Sequence, residues 1–284
     1  MKTRILLTLC LMMATAAGAQ QKPAYVLYTA KGKKTSYKKM LHTALQQQLV
    51  LFGEFHNNPI SHWLQLELTN DCQQQRKLVL GAEMFEQDNQ EQLNQYLNGS
   101  LTAKGLDSAA RLWKNFGTDY KPLLDVAREH HLPFVATNIP RRYAALVARG
   151  GFEALDTLPD KEKTWIAPLP VPYNAGLPGY KKMLEMMKDH GGANMPKAQA
   201  IKDATMAYFI VQALNRGNLF IHYNGAYHSD FHEGIFWYIN QYKPGTRMMT
   251  ISTVLQKDIS KLEKENKGRA DFIICVDEDM TTTH

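Results

Sequence analysis

Glu54, His56, Glu83 and His228 are the side chains in this sequence whose types and placement could do chemistry. Three of them fall in two matching units. Gly53-Glu54-Phe55-His56 follows the apolar run Leu49-Val50-Leu51-Phe52, and Gly225-Ala226-Tyr227-His228 follows Leu219-Phe220-Ile221-His222-Tyr223. Each run has the character of a buried strand, and a glycine after it is expected to permit a sharp turn. In an open α/β sheet, ligands bind outside the carboxyl ends of the strands, so polar residues scattered along the chain can meet on one edge. Residues two apart in extended chain face the same side, which directs Glu54 and His56 into one crevice. Carboxylates with imidazoles are competent ligands for zinc, manganese or iron, and equally competent as general acid and base. No His-Glu-x-x-His run and no cysteine pair at ligand spacing accompanies them. A metal set of Glu54, His56, Glu83 and His228 therefore rests on convergence of distant segments.

The elements that must position these residues alternate. Strands are expected at Leu49–Phe52, Leu78–Ala82 (ending at Glu83), Pro133–Thr137 (ending at Asn138), Leu219–Asn224, Arg247–Val254 and Asp271–Val276. Helices are expected from Ser36 to Gln47, after Asn58-Pro59, over Asp88–Tyr96, Leu106–Asn115, Tyr120–His130, Lys197–Asn215 and Phe236–Tyr242. Ala24–Tyr28 is expected to be an exposed lead-in. This alternation predicts the α/β class: a mostly parallel sheet flanked by helices. Residues 156–192 change character, with five prolines, Tyr173, Tyr180 and methionines 183, 186 and 187; they are expected to form a helical lid or insertion, or else a packed hairpin of the core. Residues 20–155 and 193–284 make up the core. Asp203, beside apolar residues on a helix, either supports a histidine or faces water. His130 and His131 are expected as helix caps.

The first residues have the form of a secretory signal: Lys2 and Arg4, an apolar run from Ile5 to Met13, then Ala17-Gly18-Ala19. The run is too short to span a bilayer. Residues 1–19 are therefore expected to be removed near Ala19, giving an exported protein of the periplasm or cell envelope. Formal net charge is +6, and its lysines and arginines are spread along the chain; this is a solvated surface rather than a nucleic-acid footprint. Cys72 and Cys275 have no metal spacing, and the sequence leaves open whether they pair.

These residues resemble the ChaN-like haem-binding uptake family, within the Tiki/TraB grouping that includes erythromycin-esterase-like proteins. The matching segments are Gly53-Glu54-Phe55-His56-Asn57-Asn58 with His62, Glu83-Met84-Phe85-Glu86, Asn138-Ile139-Pro140-Arg141, Asp203 with Met206-Ala207, and Gly225-Ala226-Tyr227-His228 followed by Asp230 and Gly234-Ile235. Departures are Asn57 in place of an aspartate, Tyr227 in place of a small residue, and the lack of a lipobox. The resemblance implies an α/β core with a helical lid, export, and a role in haem or iron acquisition. The cofactor it implies is haem, and the partners are haem or iron species, outer-membrane haem or iron uptake components and a second copy of the chain as a homodimer. For haem, Tyr173, Tyr180 and His190 are the candidate ligands, with Arg141, Arg142, Lys181 or Lys182 meeting the propionates. The alternative is a metal-dependent hydrolase, a peptidase or esterase holding zinc or manganese, with Glu54 and Glu83 as catalytic carboxylates.

Overall fold

The computed structural model describes residues 22–187, 192–215 and 217–284. The expected leader and His190 lie outside the described residues. Seven strands build one sheet: β1 (Tyr25–Thr29), β2 (Leu49–Glu54), β3 (Leu78–Glu86), β4 (Phe134–Asn138), β5 (Leu219–Gly225), β6 (Met248–Gln256) and β7 (Phe272–Asp277). They lie in the order β1-β7-β6-β2-β5-β3-β4. All neighbours pair parallel except β1, which runs antiparallel on β7 with Tyr25 opposite Val276. The mostly parallel sheet of the sequence reading is present. Its N-terminal lead-in, however, is an edge strand, because Tyr25–Thr29 satisfies its backbone on β7 rather than in water.

Ten helices cover the sheet among the described residues: α1 (Tyr37–Ala44), α2 (Pro59–Gln73), α3 (Gln90–Leu97), α4 (Ala103–Ala109), α5 (Lys121–Glu129), α6 (Arg141–Gly150), α7 (Asp160–Lys163), α8 (Pro178–Met186), α9 (Met195–Ala213) and α10 (Ile235–Tyr242). Ser36 caps α1 by accepting from Lys39 N, and Asn58 caps α2 by accepting from Ser61 N with Pro59 in the first turn. The helix expected over Leu106–Asn115 is shifted: α4 ends at Ala109, and the following chain turns through Trp113 to reach Phe116.

Strand alternation divides the core. Val50 and Phe52 pack with Leu64, Leu68, Leu93 and Leu124 beneath α2, α3 and α5. Leu49 and Leu51 point the other way, onto Tyr143, Ile201, Ala204 and Ile239 of α6, α9 and α10. Both faces are therefore buried, as a parallel sheet requires. Ile166, Ala167, Val171 and Tyr180 from residues 156–192 are buried in that second cluster, and Tyr238 donates to Pro172 O at 2.7 Å. Cys72 and Cys275 are free, buried, and in different clusters. No helix among the described residues is long and apolar enough to cross a membrane.

Candidate functional site

The sheet order places a switch at its centre. From β2 the chain leaves through α2 towards β3, whereas from the adjacent β5 it leaves through α10 towards β6, on the opposite side. The diverging connections open a crevice at the carboxyl ends of these strands. Glu54 closes β2, Glu83 lies within β3, and His228 sits in the turn after β5, so the three meet there.

The two glycines act by close approach, not by turning the chain. Gly225 has φ −57°, open to any residue. A Cβ on it would fall 2.8 Å from His56 Nε2 and 3.5 Å from Glu83 Oε2. A Cβ on Gly53 would meet Ala226 Cα and Ile251 O, both at 2.9 Å. The left-handed backbone lies further on, at Phe231 (φ 57°), His232 (φ 61°) and Gly234 (φ 53°), where the loop folds over the crevice. Strain of this kind at non-glycine residues clusters at functional sites.

Glu54 is buried and fully bonded. His56 Nδ1 donates to its Oε1 at 2.9 Å, Tyr120 donates to the same oxygen at 2.8 Å, and Gln65 Nε2 donates to Oε2 at 2.5 Å. His62, buried beside it, has Nδ1 3.5 Å from Glu54 Oε2 and Nε2 3.4 Å from Asp119 Oδ2. His62 and Gln65 lie one turn apart on α2, which is why both face the carboxylate. His56 is half-exposed, and its ring stands edge-on to Trp113 at 4.7 Å. Burial works against its proton, but Glu54 and Glu83 outweigh that and raise its pKa. With Nδ1 on Glu54, Nε2 has no partner among the described residues and faces the crevice.

Across Gly225 lies a second chain of charges. Glu83 Oε2 accepts from Gly225 N at 2.7 Å, and its Oε1 is 3.1 Å from His228 Nε2. His228 Nδ1 is 2.5 Å from Asp203 Oδ1, and Asp203 Oδ2 accepts from Tyr180 at 3.2 Å. Burial opposes a charge on His228, yet Glu83 and Asp203 together push its pKa up to about 10. Burial would likewise raise Glu83, but the His228 charge holds it well below the usual carboxylate range. Asp203 is raised by burial despite His228. Gln199, one turn before Asp203 on α9, lies 2.9 Å from His228 Nδ1.

Glu54, His56 and His228 line a cleft of about 320 Å³ with Phe55, Gln199, Gly225, Tyr227, Asp230 and Arg269. Tyr227, Asp230 and Arg269 continue into a second cleft of about 470 Å³ with Pro178, Gly179, Lys182, Phe231 and Glu233. Phe55 on the first cleft, Phe231 on the second and Tyr227 on both are 38%, 47% and 44% exposed, and Arg269 lies over the Phe231 ring at 5.0 Å.

The remaining sequence candidates lie elsewhere. Tyr180 is buried, with its phenol on Asp203, and Tyr173 stacks on it at 5.7 Å; neither lines either cleft. Arg142 is held by Asp88 at 2.6 Å and packs over Tyr143 and Trp165, which takes it out of the site. Arg141 lines a separate cleft with Glu86, Arg111 and Trp113. Asn138 donates to Glu83 O at 2.9 Å and so braces β3. Sequence reasoning missed Tyr120, Gln65, Gln199 and Arg269.

The donor set does not fit a zinc or manganese ion. Among the described residues no three histidine, cysteine, aspartate or glutamate side chains are disposed to hold one. The carboxylates already accept from Gly225, Gln65 and Tyr120, and His228 spends both nitrogens on carboxylates. Haem asks for less: one axial donor and an apolar slot. His56 offers a free Nε2 with its other nitrogen on a carboxylate, the usual support of an iron- or zinc-binding imidazole, and the cleft lined by Phe55 and Tyr227 offers the slot.

A family model described as haem-binding uptake, Tiki superfamily, ChaN matches residues 40–239. The chain is similar to the structure of cofacial haem binding to ChaN of Campylobacter jejuni, with TM-score 0.65 and 16% identity, covering 88% of this chain and 96% of that one. It is similar in fold to a Bacillus cereus protein (TM-score 0.52, 11% identity, 84% of this chain and 90% of that one). An erythromycin esterase mutant in its open conformation is a further neighbour, at TM-score 0.51 and 10% identity, covering 88% and 97%. Among curated proteins, RETICULATA-RELATED 5, chloroplastic, of Arabidopsis thaliana is 26% identical over 221 residues, covering 71% of this chain. The match spans only 29% of that relative's length.

Proposed function

The chain belongs to the haem-binding uptake family of the Tiki superfamily described as ChaN, and on that premise we propose that it captures haem at the cleft over His56. One observation carries the reading. His56 Nε2 is unpartnered among the described residues in a cleft lined by Phe55 and Tyr227, while Nδ1 is fixed by Glu54 at 2.9 Å. The porphyrin would lie against those rings, with its propionates towards Lys182, which lines the adjoining cleft; Arg269 is already held by Asp230 at 2.6 Å. Bound haem supplies an iron centre that needs an axial ligand, and this chain's part is to orient the imidazole and shield the porphyrin face. The Campylobacter jejuni ChaN structure, one of cofacial haem binding, supports the same ligand class.

Titration of purified protein with haemin is expected to give a shifted Soret band that saturates at a defined ratio, and His56→Ala to lose the shift. A spectrum of free haemin throughout contradicts the proposal. The proposed setting is the periplasm or cell envelope, with residues 1–19 removed, the start of α8 beside the adjoining cleft, and outer-membrane uptake components or a second copy as partners. A mature protein whose N-terminal sequence begins at Met1 contradicts export.

A further inference from the structure

The fold concentrates positive charge that the sequence spreads thinly. Residues 22–53 hold six lysines and no aspartate or glutamate. Because β1 pairs with β7, the lysines on either side of β1 come to lie beside the loop after β6, which holds Lys257, Lys261 and Lys267. The two segments touch: Tyr28 donates to Ile259 O at 2.6 Å, and Gly268 N to Ala30 O at 2.9 Å. Lys22, Lys34 and Lys257 line one cleft of about 690 Å³ with Pro23, Val26 and Ile259. These lysines are exposed, and among the described residues only Lys257 has an ion pair, with Glu278 at 3.7 Å. Asp258 and Asp277 share the cleft, but each is capped locally: Asp258 accepts from Ser260 N at 2.8 Å and Asp277 from Asp279 N at 3.0 Å.

Apolar side chains stand uncovered at the same end of the sheet. Leu255 lies opposite Val276, and Val276 opposite Tyr25; Trp63 stands edge-on to Tyr25 at 6.0 Å. Leu255 and Trp63 are both exposed. β6 runs parallel to β2 and to β7, and β1 runs against them, so this end is the carboxyl edge, where the cleft over His56 also opens. Lysines beside an edge strand can serve only to stop it pairing. Here that task is already met by backbone, since Thr29 N donates to Lys33 O and Thr35 N to Leu27 O, both at 2.9 Å.

We propose that this corner of the molecule docks on the surface of an anionic phospholipid bilayer, with Lys22, Lys34, Lys257 and Lys261 on lipid phosphates and Trp63 and Leu255 in the interface. Lysine lays its stem along apolar surface while its ammonium reaches out to a phosphate, and tryptophan has an apolar body with a polar tip. Neither lysine-rich segment contains an arginine, the planar fork that reads nucleic acid. Point charges with an exposed apolar rim suit a diffuse layer of headgroups instead. Docking does not depend on haem capture, but it would hold that cleft beside the bilayer.

The purified protein is expected to sediment with mixed phosphatidylglycerol–phosphatidylcholine vesicles at low salt and not with phosphatidylcholine alone. Release is expected at about 1 M salt, where the Debye length is ~3 Å. Lys22→Gln/Lys34→Gln/Lys257→Gln is expected to lower the partition coefficient about 100-fold, roughly fivefold for each charge. Lys77→Gln/Lys104→Gln/Lys161→Gln, the same charge change on exposed lysines elsewhere, is expected to lower it less than about fivefold. Brominated acyl chains are expected to quench tryptophan emission of the wild type and not of Trp63→Phe. Should the triple variant fail to fold, salt release and quenching of the wild type still decide. Equal sedimentation by phosphatidylcholine, binding that survives high salt, absence of quenching, or wild-type partition in the first triple variant overturns the proposal. Release by excess glycerol phosphate, which marks a site for a soluble phosphate ester, overturns it too, as does tighter binding to a DNA oligonucleotide than to vesicles. Absence of a Soret shift with vesicle binding intact would instead overturn haem capture alone.

Discussion

Gly225→Ala isolates the site from the fold, and Gly53→Ala is its control. At Gly225 the backbone φ of −57° suits alanine, and the lost unfolded-state entropy favours the variant by about 0.4–1 kcal/mol. Against this, the new Cβ would sit 2.8 Å from His56 Nε2 and 2.9 Å from its Cε1, atoms of a half-exposed ring that can swing away. Overpacking costs roughly 1–3 kcal/mol, and relief by ring movement puts Gly225→Ala near the low end, where the entropy gain nearly offsets it, so the net loss of stability is set by the bond that the movement gives up. The ring movement breaks the Nδ1 bond to Glu54, and a hydrogen bond to a charged group contributes about 1.5–3 kcal/mol. At ~1.4 kcal/mol per tenfold, haem affinity is expected to fall about 10- to 100-fold. At Gly53 the obstacles are Ala226 Cα and Ile251 O at 2.9 Å, backbone of the neighbouring strand and turn that cannot rotate away. That variant is expected to lose about 3 kcal/mol or more of stability. Urea unfolding with haemin titration of both variants reads all four quantities. Equal destabilisation of the two, or Gly225→Ala with wild-type haem affinity, refutes the reasoning.

Tyr120→Phe removes a donor from buried Glu54 Oε1 and is expected to cost about 1–3 kcal/mol in urea unfolding; an unchanged midpoint contradicts that role. Stability is also expected to depend on pH through His228. Its folded pKa is raised from 6.5 to about 10, so its contribution is complete below pH 6.5 and is lost as pH rises towards 10. His228→Gln should flatten that decline, and a parallel decline in the variant counts against the charge pairing. Glu83, whose pKa is lowered, works in the opposite sense, its contribution being lost on acidification below pH 4.5. Cys72 and Cys275, free and with thiols pushed up to about 12 by burial, are expected to react with a thiol reagent only after unfolding. A reductant that lowers Tm would show a bridge instead.

The strands and the convergence of Glu54, His56, Glu83 and His228 were legible because apolar runs ending in ionisable groups are distinctive. The roles of the glycines were not, since a close approach depends on which strand lies alongside, and β5 is far from β2 in sequence. Asp203 was visible as a carboxylate beside apolar residues on a helix, with support of a histidine and a solvent-facing place both open, and Gln199 one turn before it carried the deciding signal unread: a polar pair at i, i+4 on an apolar helix. Gln65, one turn after His62, repeats it. Tyr120 gave no signal, because a tyrosine at a helix start is ordinary and its reach to Glu54 is set by tertiary packing. Tyr173 and Tyr180 had a composition suited to a haem slot, yet burial of Ile166, Ala167, Val171 and Tyr180 in the cluster with α9 spends Tyr180 on Asp203. β1 went unrecognised because a short edge strand owes its form to β7, near the other end of the described chain.

Haemin titration of the wild-type protein beside His56→Ala tests the central claim most directly. A saturable shifted Soret band in the first and a free-haemin spectrum in the second is the predicted result. The same saturable shift in both proteins would place the iron on another residue and contradict it.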